Sequence, residues 1–132
     1  MNYFLVGVAG MIGALLRYEI SLIFYGEGTG AFPFGTFVAN MAGSFVLGWF
    51  TTYIMAMRRL HPHVLTAIGT GLIGSFTTFS TFSVETVQLL RDGFWVMGIF
   101  YVLISLFGGL FMSALGYYTG KQLYRRRREK QA

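Results

Sequence analysis

Cysteine is missing from the 132 residues, proline occurs twice and acidic residues only five times. The first absence excludes disulfides, thiolate metal sites and cysteine nucleophiles together. Glu19, Glu27, Glu85 and Asp92 are scattered over helix ends and loops, which leaves no carboxylate pair for acid–base work. The two histidines share one short loop, His61-Pro62-His63, beside Arg58 and Arg59. Without further ligands that is a poor metal site, and a solvated basic loop is the better reading. With no nucleophile near a base, an enzyme is not expected. Charge as a whole is scarce: Asp, Glu, Lys and Arg make up 11% of the chain, against roughly 25% in a soluble domain.

Apolar residues fill the space. They are 55% of the chain, mean hydropathy is +0.59, and four long apolar runs cover residues 3–25, 33–57, 64–90 and 94–120. Each exceeds the 20 or so residues that cross a hydrocarbon core of about 30 Å. The fold class is therefore all-α integral membrane: one four-helix transmembrane domain over residues 1–120 and a basic tail over 121–132. The first run has no basic segment ahead of it, and Arg17 and Glu19 interrupt its far end, so it is expected to remain as a helix rather than be cleaved as a signal peptide.

The third run has the wrong composition for a plain anchor. Between Gly71 and Glu85 it carries two glycines, six hydroxyl residues and a carboxylate. Polar groups at membrane depth are tolerated only against protein or a wet cavity. The glycines and Thr77-Thr78 weaken a helix locally, so a break between two half-helices is expected over Gly74 to Thr78. The competing reading is an unbroken helix, packed closely through its glycines with hydroxyls bonded to their own carbonyls.

Other polar positions line up by helical spacing. Gly7, Gly10, Gly13 and Ala14 make a smooth stripe for close packing on helix 1, and Arg17 lies near its end, as an interfacial anchor or at the mouth of an anion path. A glycine-rich connection, 26–32, leads to Pro33 and helix 2, where Thr36, Asn40 and Gly43 share a face. Asn40 reads as interhelical glue or as a neutral NH₂ donor to an anion. On helix 4, Tyr101, Ser105, Gly109 and Ser113 fall at four-residue steps, either a hydroxyl track or part of a small-residue seam with Gly108, Gly116 and Gly120. Phe79 and Phe82, three residues apart, read as ordinary packing or as rings offering their positive edges to a small anion. Hydroxyls and the Asn40 amide would then replace its water.

The net charge of +5 and a pI near 9.8 come from residues where chain meets membrane, which points to anionic lipid headgroups rather than nucleic acid. Four spans place Arg58, Arg59, Lys121, Arg125, Arg126, Arg127, Arg128 and Lys130 on one side, eight in all, against Arg91 on the other. The positive-inside rule then puts both termini in the cytoplasm.

Three stretches carry a resemblance: Gly10-Met11-Ile12-Gly13-Ala14-Leu15-Leu16-Arg17-Tyr18, Gly35-Thr36-Phe37-Val38-Ala39-Asn40-Met41-Ala42-Gly43, and Gly71 to Glu85 with its Thr-Thr-Phe-Ser-Thr-Phe core. Through them the chain resembles the CrcB/Fluc family of small bacterial fluoride channels over nearly all four helices. That resemblance implies an antiparallel, dual-topology dimer in the bacterial plasma membrane that exports fluoride passively through two pores. Phe79 and Phe82 would be the pore phenylalanines, Asn40 the pore amide, and Thr36, Tyr101, Ser105, Ser113 and Glu85 the polar track, with Arg17 near a vestibule. A central Na⁺ would be held by backbone carbonyls of Gly74 and Thr77 from both subunits. Two features depart from the pattern: Gly109 stands where relatives often have serine, and the charge bias of eight to one suits a fixed orientation. A paired, oppositely oriented homologous chain is therefore an alternative to a homodimer. The runner-up functions are a small proton-coupled multidrug exporter, for which Glu19 lies too near a helix end, and a non-transporting assembly subunit.

Overall fold

The computed structural model describes residues 2–24, 32–57 and 59–130. Most of the glycine-rich connection (25–31), Arg58 and residues 131–132 lie outside the described residues. Regular structure among those described is helical throughout. Helix α1 is Asn2–Ile23. Helix α2 begins at Phe34, behind Pro33, and runs to Trp49 before widening into a π-helical turn over Phe50–Ile54. Helix α3 covers 62–76, and its middle, Ala67–Ile73, is again π-helical. Helix α4 is Ser80–Arg91 and α5 is Trp95–Glu129. The last helix passes Gly120 without a break, so the basic residues after it sit on its final turns. Four spans are long and apolar enough to cross a membrane: Tyr3–Ile23, Phe34–Ile54, Pro62–Arg91 (α3 with α4) and Trp95–Glu129.

Local chemistry sets several ends. His61 is extended, its Nδ1 accepts the His63 N–H at 3.3 Å, and Pro62 fills the first helical position, where its missing N–H costs nothing. The His-Pro-His loop is thus a helix start, and no cluster of three metal-binding side chains occurs among the described residues. At the other end of the span, Gly93 has φ +84°, Phe94 N–H bonds the Leu89 carbonyl at 2.9 Å and Gly93 N–H the Leu90 carbonyl at 3.3 Å. This paired cap needs a left-handed residue, which glycine supplies without strain, and it reverses the chain directly into α5.

Lipid offers no hydrophobic gain for helix association, so contact depends on close backbone approach. Helix α1 lies on α3, where a side chain on Gly13 would collide with the Leu72 carbonyl. Helices α2 and α5 form the most extensive interface, and a side chain on Gly116 would meet the Phe45 carbonyl oxygen. The outward faces are apolar: Val96, Ile99, Leu103, Phe107 and Leu110 on α5 are all exposed, as a lipid-facing helix requires. Forcing the seam apart should cost about 1–3 kcal/mol. Gly116→Val is therefore expected to lower the thermal unfolding midpoint in detergent, whereas Gly7→Ala, where an added methyl meets nothing within 4 Å, should leave it unchanged or slightly higher.

Candidate functional site

The third span does break, at Thr77–Phe79 rather than over Gly74 to Thr78. Residues Gly74–Phe76 complete α3, and Thr77 N–H still reaches the Ile73 carbonyl at 3.1 Å. Thr77 then turns extended, with φ −83° and ψ 157°. The cause is a partner on another helix. Asn40 Nδ2 donates to the Thr78 carbonyl at 2.9 Å, and Thr78 N–H donates to Asn40 Oδ1 at 2.8 Å. One carboxamide thus satisfies both backbone groups of a residue taken out of the helix, which removes the cost of breaking it in a low-dielectric setting. Thr78 also restarts the chain: its Oγ1 accepts the Thr81 N–H at 3.2 Å, as an N-cap hydroxyl does. The glycines are not the hinge. Gly71 lies in the π-turn against Val6 of α1, and Gly74 is in the last turn before the break.

The carbonyls of Gly74 to Thr77 lose their helical donors across the break, and for two of them the donor is held elsewhere. Thr78 N–H, the ordinary partner of the Gly74 carbonyl, is turned to Asn40, and Thr81 N–H, the ordinary partner of the Thr77 carbonyl, is held by Thr78 Oγ1. The Thr77 hydroxyl leans back toward Ile73 at 3.2 Å and only distantly toward Gly74, at 3.5 Å.

Beside the break lies a cleft of about 710 Å³ between α2, the broken span and α5, with Asn40, Thr77, Thr78, Phe79, Phe82, Ser105 and Gly109 in its walls. The rings of Phe79 and Phe82 lie 5.9 Å apart at 38°, and Phe79 is 80% exposed. Among the described hydroxyls, Ser105 alone is both buried and without a partner. Ser21, Thr51, Thr52, Thr66, Thr77, Ser83, Thr86 and Thr119 each bond a carbonyl one turn back on their own helix. Ser105, in the cleft wall, has its Oγ buried with no partner in the protein, which leaves its donor unspent. Asn40, also in the cleft wall, spends one Nδ2 hydrogen on Thr78 and has a second to donate.

Next along α4, Glu85 accepts from Thr36 Oγ1 at 2.7 Å and from the Tyr101 hydroxyl at 2.9 Å. Tyr101 is fully buried, and the Phe82 ring lies 5.0 Å from its ring, tilted by 50°, so the carboxyl cluster is joined to the phenylalanine pair. Arg17 meets no carboxylate among the described residues. Its Nη1 donates to Thr81 Oγ1 at 3.3 Å, its Nε is buried without a partner, and Thr81 is in turn bonded by Thr78 Oγ1 at 3.1 Å.

The structure therefore gathers Asn40, Phe79, Phe82, Ser105, Gly74 and Thr77 around one cleft, with Glu85, Thr36 and Tyr101 adjoining and Arg17 behind the hydroxyls. Ser113 stands apart, in the α2–α5 seam with its carbonyl against Gly48. Glu19 is exposed. Sequence reasoning missed the roles of Thr78 and Thr81, whose only signal was a hydroxyl three residues before another at a helix start. Thr36→Val removes a hydrogen bond to a carboxyl oxygen and should cost about 1.5–3 kcal/mol. Thermal unfolding in detergent is expected to show that loss, against almost none for Ser83→Ala, which removes only a bond within its own helix.

The match to known proteins covers this whole arrangement. The family model described as "CrcB-like protein, Camphor Resistance (CrcB)" matches residues 4–117. The chain is 50% identical over 124 residues to "Fluoride-specific ion channel FluC 1" of Bacillus thuringiensis subsp. konkukian, covering 94% of this chain and 90% of that one. It is 50% identical over 113 residues to "Fluoride-specific ion channel FluC 1" of Desulfitobacterium hafniense, covering 86% and 97% respectively. To "Fluoride-specific ion channel FluC 2" of Listeria monocytogenes serotype 4b it is 42% identical over 126 residues, covering 96% and 95%. Four apolar spans, a clamped helix break and a match over nearly the full length lead to one assignment: the chain belongs to the CrcB-like family.

Proposed function

We propose that this chain forms a fluoride-selective channel that lets F⁻ leave the cytoplasm down its gradient and so lowers fluoride toxicity. The observation that carries the reading is the cleft itself: a buried, unpartnered Ser105 hydroxyl and a spare Asn40 N–H stand with two phenylalanine rings and no fixed charge on its walls. A small anion loses water on entry, and neutral donors with ring edges replace it without binding so tightly that conduction stops. The Glu85 carboxyl keeps its two hydroxyl donors, Thr36 and Tyr101, turned away from the path in the resting arrangement. Arg17 supplies the positive potential that draws an anion toward the hydroxyls of Thr81 and Thr78.

A second, oppositely oriented copy, or a homologous chain, completes the pathway. The support is the exposure of Phe79 and Gly74 in the single chain: polar, non-helical backbone facing lipid is costly unless protein covers it. The carbonyls of Gly74 and Thr77, released from the helical ladder, fit a central Na⁺, since hard oxygen donors suit such an ion. When bound, the ion neutralises their exposed dipoles. The excess of Lys and Arg on one side favours the plasma membrane as the setting and a fixed insertion with this chain's termini in the cytoplasm, which gives weight to a homologous chain as the oppositely oriented partner.

Fluoride efflux from liposomes holding the purified chain, followed with an ion-selective electrode, tests this directly. Rapid F⁻ release is expected with none for chloride, falling at least tenfold in Phe79→Ile and Phe82→Ile, and slowing when N-methylglucamine replaces Na⁺ during purification. Absence of efflux from folded protein, both alone and with an oppositely oriented homologue, would refute the proposal.

A further inference from the structure

The end of the bundle that carries most of the basic residues holds a separate cavity, of about 250 Å³, lined by Met57, Arg59, Tyr124, Arg127 and Arg128. Arg127 is half-buried there. Its Nη1 donates to the Tyr53 hydroxyl at 3.4 Å and lies 3.0 Å from Met57 Sδ. Both partners are neutral, so the guanidinium is held in place without being neutralised. With Nη1 so engaged, Nε and Nη2 remain as the planar fork that takes two oxygens of one phosphate. Arg59 and Arg128 are exposed at the rim of the same cavity.

Depth decides what the fork meets. Tyr53 lies 19 residues past Phe34 in the span Phe34–Ile54, about 29 Å at a helical rise of 1.5 Å per residue, which matches the thickness of the hydrocarbon core. Tyr53, and Arg127 with it, therefore sit where acyl chains end and phosphates begin. Tyr124 in the wall suits the same layer, where an aromatic ring with a polar tip is favoured.

We propose that this cavity binds the phosphate of an anionic phospholipid headgroup, gripped by Arg127 and flanked by Arg59 and Arg128. The site does not depend on fluoride conduction. It gives the basic end of the chain a structural reason to prefer the anionic leaflet, and it ties α5 to the end of α2 through a bound lipid.

Native mass spectrometry of the detergent-purified protein, titrated with phosphatidylglycerol and with phosphatidylcholine, tests the proposal. Phosphatidylglycerol is expected to be retained in preference. Its affinity should fall about fivefold for each arginine removed and about a hundredfold in the combined Arg59→Gln, Arg127→Gln and Arg128→Gln variant, with no change for Arg91→Gln at the opposite end. Arg127→Lys keeps the charge and the fold but loses the fork, and should bind several-fold more weakly. Equal affinity in Arg127→Lys, or in the combined variant, would overturn the site. Inorganic phosphate that displaces phosphatidylglycerol at equal concentration would overturn its assignment to lipid.

Discussion

The pair of hydrogen bonds between the Asn40 carboxamide and the backbone of Thr78 is the constraint on which the other features of the site depend. In a membrane the backbone has no water to turn to, and a helix cannot open unless something else supplies a donor and an acceptor. A carboxamide has both, in the same plane and at the spacing of a peptide group. By supplying them, Asn40 lets one residue leave the helix at 2.9 and 2.8 Å. From that departure follow the freed carbonyls of Gly74 and Thr77, the restart of the helix at Ser80, and the placement of Phe79 and Phe82 on the wall of a cleft. None of these features would arise from the local propensity of residues 74–79 alone.

The clamp works only because α2 is brought close to the broken span. That approach rests on small residues: Gly43 leaves room for the Thr77 side chain, and Gly48 and Gly116 let α2 and α5 meet backbone to backbone. The same seam explains why one hydroxyl stripe on α5 divides into three fates. Tyr101 bonds Glu85, Ser105 stands in the cleft wall with its oxygen buried and unpaired, and Ser113 is taken up in the contact with α2. Glycine at 109, where a serine was the expectation, leaves that point of the cleft wall without a hydroxyl, which places more of the donor function on Ser105 and Asn40.

Much of this was legible in the sequence. Apolar runs gave four spans, the first three to within a few residues, because a helix needs about 20 residues to cross a core of about 30 Å; the last helix runs to Glu129, nine residues past the expected end at Gly120, because its basic turns continue beyond the apolar run. The existence of a break followed from hydroxyls at membrane depth. Its position did not: the glycines drew the expectation toward Gly74, whereas the acting residue lay 38 positions earlier, at Asn40. A contact between helices leaves no mark in the spacing of either one. The π-helical turns at Phe50–Ile54 and Ala67–Ile73 were equally silent, since they answer to packing against α5 and α1. Helical spacing put Ser113 in line with Ser105, but it carries no information on where a neighbouring helix crosses the stripe.

The account stands or falls on whether Asn40 holds the break. Site-resolved hydrogen exchange of the Thr78 amide, in the intact protein and in Asn40→Leu, measures that bond. The account predicts a protected amide in the intact protein despite its extended backbone, and exchange at least a hundredfold faster in the variant, with the amides of α5 unaffected. Equal exchange at Thr78 in the two proteins would contradict it.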